Sequence, residues 1–518
     1  MRATIVTVDR TAIVETHISV LIFYGDRVYK VRKNVTTPFL DFSTRELRRA
    51  DCLREVELNS RLAPDVYLGV LDIVDEAGDP VEHMVVMRRL PVDRRLAAMI
   101  DRPDFDPTHL TRIARRVAAF HAGAERSARI DRAGSVEHLT MLWTTNLDET
   151  EPFLGALLDA DTHARLRRRA LAYLEGRHPL LARRVADGRV VDGHGDLLAD
   201  DIYCLDDGPR ILDCIEFDPT FRHGDVLYDT AFLAMDLEHR GHPDLARAFL
   251  DAYREFTAET HPTSLEHWYI AYRALVRAKI ACLRAQGGDD NAAPEAAAFL
   301  AQADRHLDRA EVRLVIVGGL PGTGKSTVAQ GVADRLGWDL LRTDAVRKEM
   351  ARMTQSEHAY SAPFAGLYAS DVTTQVYAEL LARARVALER GDSVVLDASW
   401  LDPAQRDAAR ALARDTRSAL HEICCLLDVR EAEERIRARA AHGADPSDAT
   451  PEVLAALAER TEVPWQGARA VDTSLDRSQS VDEAVRLVGG DSGDRIARLA
   501  GSDQPMPYPI GRPGPNPG

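Results

Sequence analysis

The 518-residue sequence predicts an α/β protein built as a sheet-rich lobe, a larger helical lobe and then a separate parallel α/β domain. Three observations carry that expectation. Short β-branched strands dominate the opening stretch, and long helical periods follow it. From residue 313 onward, strand and helix patterns alternate. The continuous apolar run Val312 to Val317 leads directly into Gly319-Leu320-Pro321-Gly322-Thr323-Gly324-Lys325-Ser326-Thr327.

In chain order, Ile13 to Val35 reads as strands with a turn at Gly25-Asp26. Thr44 to Leu62 has a helical period whose apolar positions are Leu47, Leu53, Val56 and Leu62. Strand signals return at Val66–Val74 and His83–Met87. A mostly helical region runs from Val92 to about Arg184, a strand–loop–strand section from Arg189 to Phe217, and further helices to about Ala310. The second domain is expected to have strands at 313–317, 338–342, 393–397 and 422–428. These readings divide the chain into 1–307 (small lobe 1–90, helical lobe 91–307), 308–490 and a Pro/Gly-rich tail, 491–518. The tail is too polar to bury a core and is expected to be disordered.

Composition narrows the function classes. Net charge is −16, which argues against nucleic acid or an anionic membrane as default partners. No apolar run approaches the roughly 18–20 residues needed to span a bilayer, and Met1-Arg2-Ala3-Thr4 opens no apolar signal core, so a cytoplasmic protein is expected. Cys52, Cys204, Cys214, Cys282, Cys424 and Cys425 have no metal-ligand spacing and read as reduced core residues. Only five of the 66 basic residues are lysines: Lys30, Lys33, Lys279, Lys325 and Lys348. In so arginine-rich a chain, a lysine marks a place where a compact ammonium suits better than a planar fork.

The run Gly319–Ser326 fits G-x-x-x-x-G-K-[ST] between a strand and a helix. Its glycines let backbone N–H groups curl around phosphate oxygens at a helix N-terminus, with Lys325 toward the β- and γ-phosphates and the Ser326 hydroxyl toward Mg²⁺. The next strand is read as ending at Arg342-Thr343-Asp344. Asp344, there on the ligand edge of the sheet, suits a base for an acceptor hydroxyl, or else a helix cap. Ser393 to Asp397 is an apolar run closed by an acid, placing Asp397 to hold Mg²⁺ through water, or else to act as a cap. Arg435 and Arg439 share a helix face that could close on a transferring phosphate, or be merely solvated. This set, with Asp397-Ala398-Ser399, resembles the small P-loop kinases: gluconate kinase, polynucleotide 5′-kinase, chloramphenicol phosphotransferase and zeta-toxin-like proteins. The resemblance implies Asp344 as base, Arg347 as a substrate contact and Arg435/Arg439 as a lid.

Upstream, Asp196, Asp201 and Asp213 fall within 18 positions, two of them at strand or loop ends between apolar stretches; so many are costly unless they bind cations or move protons. Lys30 in a strand and Glu55 on the following helix form the pair by which kinase folds position nucleotide phosphates. Residues 10–305 resemble the aminoglycoside phosphotransferase and choline kinase-like branch of the protein-kinase fold. That resemblance implies Asp196 of His194-Gly195-Asp196 as catalytic base, Asp213 as a Mg²⁺ ligand, and Lys30 (or Lys33) with Glu55 at the phosphates. It further implies Val86-Met87-Arg88-Arg89-Leu90 as the adenine hinge and Thr16-His17-Ile18-Ser19 as the nucleotide loop. Two departures stand out: Asp201 replaces the family's Asn, and Leu198 its His. Asp225 and Asp229 are read as structural supports. The whole implies two ATP- and Mg²⁺-dependent kinase-type domains acting on small-molecule hydroxyl groups. A single P-loop kinase regulated by a pseudokinase, and a nucleotide-gated binding protein, remain alternatives; oligomeric state and acceptor are not readable.

Overall fold

The computed structural model describes residues 5–8, 11–16, 18–37, 40–351, 370–442 and 450–489. The chain divides into two compact units, Met1–Glu311 and Val312 onward. The expected break at 307/308 lay a few residues early, because the helix before it runs on to Ala310.

The first unit begins with strands β1 (Ile5–Val8), β2 (Thr11–Glu15), β3 (Ser19–Tyr24) and β4 (Arg27–Arg32). Helix α1 (Arg45–Asn59) follows, capped by Thr44, whose hydroxyl accepts from the Leu47 N–H. Strands β5 (Tyr67–Val74) and β6 (Pro80–Arg88) complete an antiparallel sheet in the order β1-β2-β3-β4-β6-β5. The sheet buries Val28, Val85 and Met87 against Cys52 of α1 and against Val66 and Tyr67.

Of the apolar positions in that period, Leu62 is buried, whereas Leu47 and Leu53 are exposed, at 42% and 45%. The buried face instead carries Arg48, Asp51, Cys52, Glu55, Leu58 and Asn59. The helix turns its charges inward because the sheet presents cations there.

The helical lobe comprises α2 (Thr108–Gly123), α3 (Val136–Thr150), α4 (Ala160–Gly176) and α5 (His178–Ala186). The short strands β7 (Val190–Asp192), β8 (Ile202–Leu205), β9 (Gly208–Ile211) and β10 (His223–Asp225) interrupt it. Helices α6 (Val226–His239), α7 (Pro243–Thr257), α8 (Thr263–Gln286) and α9 (Ala292–Ala310) close the unit. Trp143 and Trp268 pack with ring centroids 5.4 Å apart at its centre. The first unit is thus an α+β arrangement, a strand-rich lobe followed by a helical one.

The second unit alternates β11 (Arg313–Gly318), α10 (Lys325–Leu336), β12 (Asp339–Arg342), α11 (Thr343–Met350), α12 (Ser370–Glu389), β13 (Val394–Asp397), α13 (Pro403–Asp415), β14 (Ala419–Leu426), α14 (Val429–His442), α15 (Pro451–Ala458), β15 (Arg469–Asp472) and α16 (Arg477–Leu487). Its five strands are parallel, in the order β12-β13-β11-β14-β15. Every residue of β11 is buried, as a central parallel strand requires. Strand β15 was not expected: it is a polar edge strand with only Val471 buried. The tail at 491–518 lies outside the described residues. All six cysteines are free and buried.

Candidate functional site

Each unit has its own candidate site. In the first, Lys30 and Arg32 lie two apart on β4 and so on one face of the sheet. Both reach the buried carboxylate of Glu55 on α1. Lys30 Nζ is 2.8 Å from Oε1, and Arg32 Nη2 is 2.8 Å from Oε2. Arg32 also pairs with Asp51 Oδ2 through Nε at 2.6 Å, donates to Ser19 Oγ at 2.9 Å, and contacts Glu216. Sequence reasoning passed over Arg32 as one arginine among dozens. Its position two residues from Lys30 on an alternating strand was the available signal.

Oxygens of Asp51, Glu55 and Glu216 lie within 4.8 Å of one another, close enough to hold a metal ion. Here the guanidinium and ammonium supply the counter-charge. Burial, reinforced by Glu55 and Asp51, pushes Glu216 up to about 7 despite Lys30 and Arg32. Burial works against the Lys30 ammonium, yet Glu55 ahead of Asp213 and Glu216 holds its pKa above the ordinary lysine value.

Asp213 Oδ1 stands 3.7 Å from Lys30 Nζ. The apolar surroundings in sequence suggested a buried acid, but its side chain is 55% exposed. The backbone turns it outward at φ +63°, a left-handed conformation costing an aspartate about 1 kcal/mol. The next residue fixes the turn: the Cys214 N–H donates to Asn59 Oδ1 at 2.9 Å. Helix α1 therefore positions both Glu55 and the Asp213 loop.

The loop holding Asp196 hangs on Asp229 of α6. Asp229 accepts from the N–H groups of His194 at 2.7 Å and Gly195 at 2.8 Å, and lies 3.1 Å from His121 Nε2. Asp225 caps α6 and is gripped by Arg184 at 2.6 and 2.7 Å. Burial, then Asp213, push Asp196 up to about 6, while Arg277 and Arg273 pull it down. Burial, then Asp213 and Asp196, push Asp201 well above the carboxylate range. These are hard oxygen donors short of positive charge, a set that fits Mg²⁺, and a bound dication would reverse both shifts.

Three further expectations meet the structure less simply. Lys33 binds Glu15 Oε1 and the Thr16 carbonyl, each at 2.6 Å, so it does not share Glu55. Met87 is buried on β6, but the N–H groups of Arg88 and Arg89 already donate to Val66 O and Asp26 O at 2.8 Å. Those two hinge donors are spent within the protein. Thr16 and Ser19 close a tight turn between β2 and β3, and His17 lies outside the described residues.

In the second unit the loop from β11 to α10 is held by close approach. Gly319 and Gly322 have φ of +138° and +83°, and an added Cβ would meet Cys425 O at 2.6 Å and Ala432 O at 2.5 Å. Leu320 is buried beside Ala432 and Ile436 of α14. The Thr473 hydroxyl donates to Thr323 O at 2.7 Å, and Arg435 Nη2 donates to Thr473 O at 2.8 Å. Arg435 thus stands at the loop, with Nη1 3.6 Å from where a Cβ on Gly324 would sit. The side chain of Arg439 lies outside the described residues. Lys325 opens α10, followed by Ser326 and Thr327.

Asp397 ends β13 and is buried. Burial raises its pKa, opposed by Lys325, by a hydrogen bond with Ser326 and by Arg342. Its Oδ1 is buried without a hydrogen-bond partner. An orphaned carboxylate oxygen beside a serine hydroxyl is a fit for Mg²⁺. Asp344 is not at the strand end as expected: β12 stops at Arg342, and Asp344 lies in the first turn of α11. Arg342 is the N-cap residue, so Asp344 is not the cap either. Its carboxylate pairs with Arg347 at 2.7 Å.

Residues 314–464 match the AAA domain family model, which spans the phosphate loop and Asp397. An uncharacterized protein of Mycobacterium tuberculosis (strain ATCC 25618 / H37Rv) is 42% identical over 473 residues, covering 91% of this chain and 94% of its own; one of Mycobacterium bovis matches equally. The chain belongs to the family of these mycobacterial proteins. Among solved structures, a choline/ethanolamine kinase family protein from Mesorhizobium loti aligns with 58% of this chain and 86% of its own, at 16% identity and TM-score 0.34. A sugar kinase from Janibacter sp. HTCC2649 aligns with 35% of this chain and 98% of its own, at 19% identity and TM-score 0.27. No helix among the described residues is long and apolar enough to cross a membrane.

Proposed function

We propose that the chain combines two ATP-dependent phosphotransferase units, each moving the γ-phosphate of ATP to a hydroxyl group of a small molecule. The observation that carries the dual reading is the Lys30 ammonium, 2.8 Å from Glu55 and 3.7 Å from Asp213 across 183 positions of sequence. A unit that had lost phosphate chemistry would have no need to keep a strand lysine, a helix acid and a loop acid together. In this reading Lys30 meets the nucleotide phosphates and Glu55 orients it. Asp196 receives the proton of the acceptor hydroxyl, and Asp201 with Asp213 would hold Mg²⁺. In the second unit the N–H groups of Gly319–Thr327 and Lys325 bind phosphate, Ser326 and Asp397 would hold Mg²⁺, Asp344 takes the acceptor proton, and Arg435, with Arg439, balances charge on the moving phosphate. A bound Mg²⁺ would supply charge neutralisation in both.

Asp201 in place of asparagine favours a second reading, with the first unit as a regulatory pseudokinase. Calorimetric titration of a non-hydrolysable ATP analogue with Mg²⁺ separates them. Two sites are expected in the wild type, one lost in Lys325→Ala and the other in Lys30→Met. A single wild-type site, lost in Lys325→Ala, would sink the dual reading.

A further inference from the structure

The second unit carries an arginine beside Asp397 that no role above absorbs. The parallel register of β12 and β13 pairs Arg342 with Asp397, so the two side chains leave the same face of the sheet. Thr343 ties the two strand ends together, its hydroxyl donating to Asp397 O at 3.3 Å. The Arg342 guanidinium stands between Asp397 and α10. Its Nη2 donates to Gln330 Oε1 at 3.0 Å, and its Nε lies 3.8 Å from Asp397 Oδ2.

Gln330 is a fixed anchor. Its Nε2 donates to Asp334 Oδ1 at 2.7 Å, which leaves Oε1 for Arg342. Ser326, Gln330 and Asp334 follow at steps of four along α10 and share one of its faces. The helix that carries the hydroxyl proposed for Mg²⁺ thus also carries the hold on Arg342.

The Arg342–Asp397 pair is left open. At 3.8 Å it is too long for a hydrogen bond, and Arg342 Nε and Asp397 Oδ1 are both buried without a hydrogen-bond partner. An arginine that served only to neutralise the acid would close on it. Arg184 does so with Asp225, at 2.6 and 2.7 Å through two nitrogens. Arg342 is instead held short of the carboxylate by its second anchor. It keeps a positive charge beside Oδ2 and leaves Oδ1 unspent, the condition in which a carboxylate can take a cation.

We propose that Arg342, anchored by Gln330, is a positioning residue for the divalent cation of the second unit, acting through Asp397 so that Oδ1 stays available to Mg²⁺ or to a water bound to it. This rests on the reading of the second unit as a Mg²⁺- and ATP-binding site. Arg342 itself touches neither nucleotide nor acceptor.

The test uses the full chain carrying Lys30→Met, so that calorimetry with the non-hydrolysable ATP analogue reads the second unit alone. Analogue binding at saturating Mg²⁺ is measured first; its absence overturns the reading of the second unit and the inference with it. The Mg²⁺ concentration that gives half of that binding is then titrated. Adding Arg342→Ala is expected to raise this midpoint roughly tenfold to a hundredfold, the usual cost of losing the partner behind a metal ligand. Affinity for the analogue in EDTA should stay as it was. Gln330→Ala, which removes only the anchor, should move the midpoint the same way by less, and it carries the test if Arg342→Ala fails to fold. Arg342→Lys should recover part of the loss. A midpoint that is unchanged or falls in both alanine variants, or an analogue affinity reduced equally with and without Mg²⁺, would overturn the positioning role while leaving nucleotide binding intact.

Discussion

Replacing Arg32 by methionine keeps the length and apolar stem of the side chain and removes its charge. In the wild type that charge faces Asp51 at 2.6 Å, Glu55 at 2.8 Å and the Glu216 carboxylate. After the substitution Lys30 alone faces the three acids, which remain buried. Breaking a buried ion pair by removing one partner costs about 3–5 kcal/mol, because the abandoned charge is not resolvated. For a unit of this size that corresponds to a fall in melting temperature of about 10 °C. The pH dependence identifies the cause. With Arg32 gone, the Asp51 and Glu216 pKa values in the folded state rise further above their unfolded values. The folded state then binds more protons than the unfolded one across that interval, so stability is present at low pH and lost as pH rises. The deficit should be full near pH 8 and smaller near pH 5. Calorimetric melts of the full chain at both pH values, with hydrogen exchange over residues 45–59 to assign the transition, measure it. A loss below about 1 kcal/mol, or one independent of pH, would refute the claim that Arg32 is the principal counter-charge. Lys30→Met should behave differently, weakening nucleotide binding with a smaller stability loss, since Arg32 still holds Glu55.

Other consequences can be checked alongside. Gly322→Ala places a methyl 2.5 Å from Ala432 O at a φ of +83°, so analogue binding to the second unit should fall at least tenfold while the first unit's site is unchanged in calorimetry. Asp229→Ala removes the acceptor for the His194 and Gly195 N–H groups, and should destabilise the first unit by about 2–4 kcal/mol in urea unfolding, as two buried donors and His121 lose their partner. Acidification acts through His194 and His267, which burial first, and for His267 then His306, lowers to about 4 and about 3. The unfolded chain takes up their protons near 6.5 and the folded chain does not, so stability falls as pH drops below about 6.5. The loss of several kcal/mol by pH 4 should appear as an acid-shifted melt of the first unit.

The phosphate loop was legible because its demands are local. Glycines at positive φ, a lysine and a hydroxyl at fixed spacing carry the same meaning in sequence and in space. The alternation of strands and helices around it was legible for the same reason, except β15, whose exposed polar edge leaves only Val471 as a signal. In the first unit the candidate residues Lys30, Glu55, Asp196 and Asp213 stood out in the sequence, but the contacts that join them to their neighbours did not. The apolar period on α1 includes Leu47 and Leu53, and both are exposed. The helix instead buries Asp51, Glu55 and Asn59, because β4 presents Lys30 and Arg32 and the Cys214 loop presents an N–H. Which face turns inward is decided by charges arriving from elsewhere in the chain, and no window on α1 contains them.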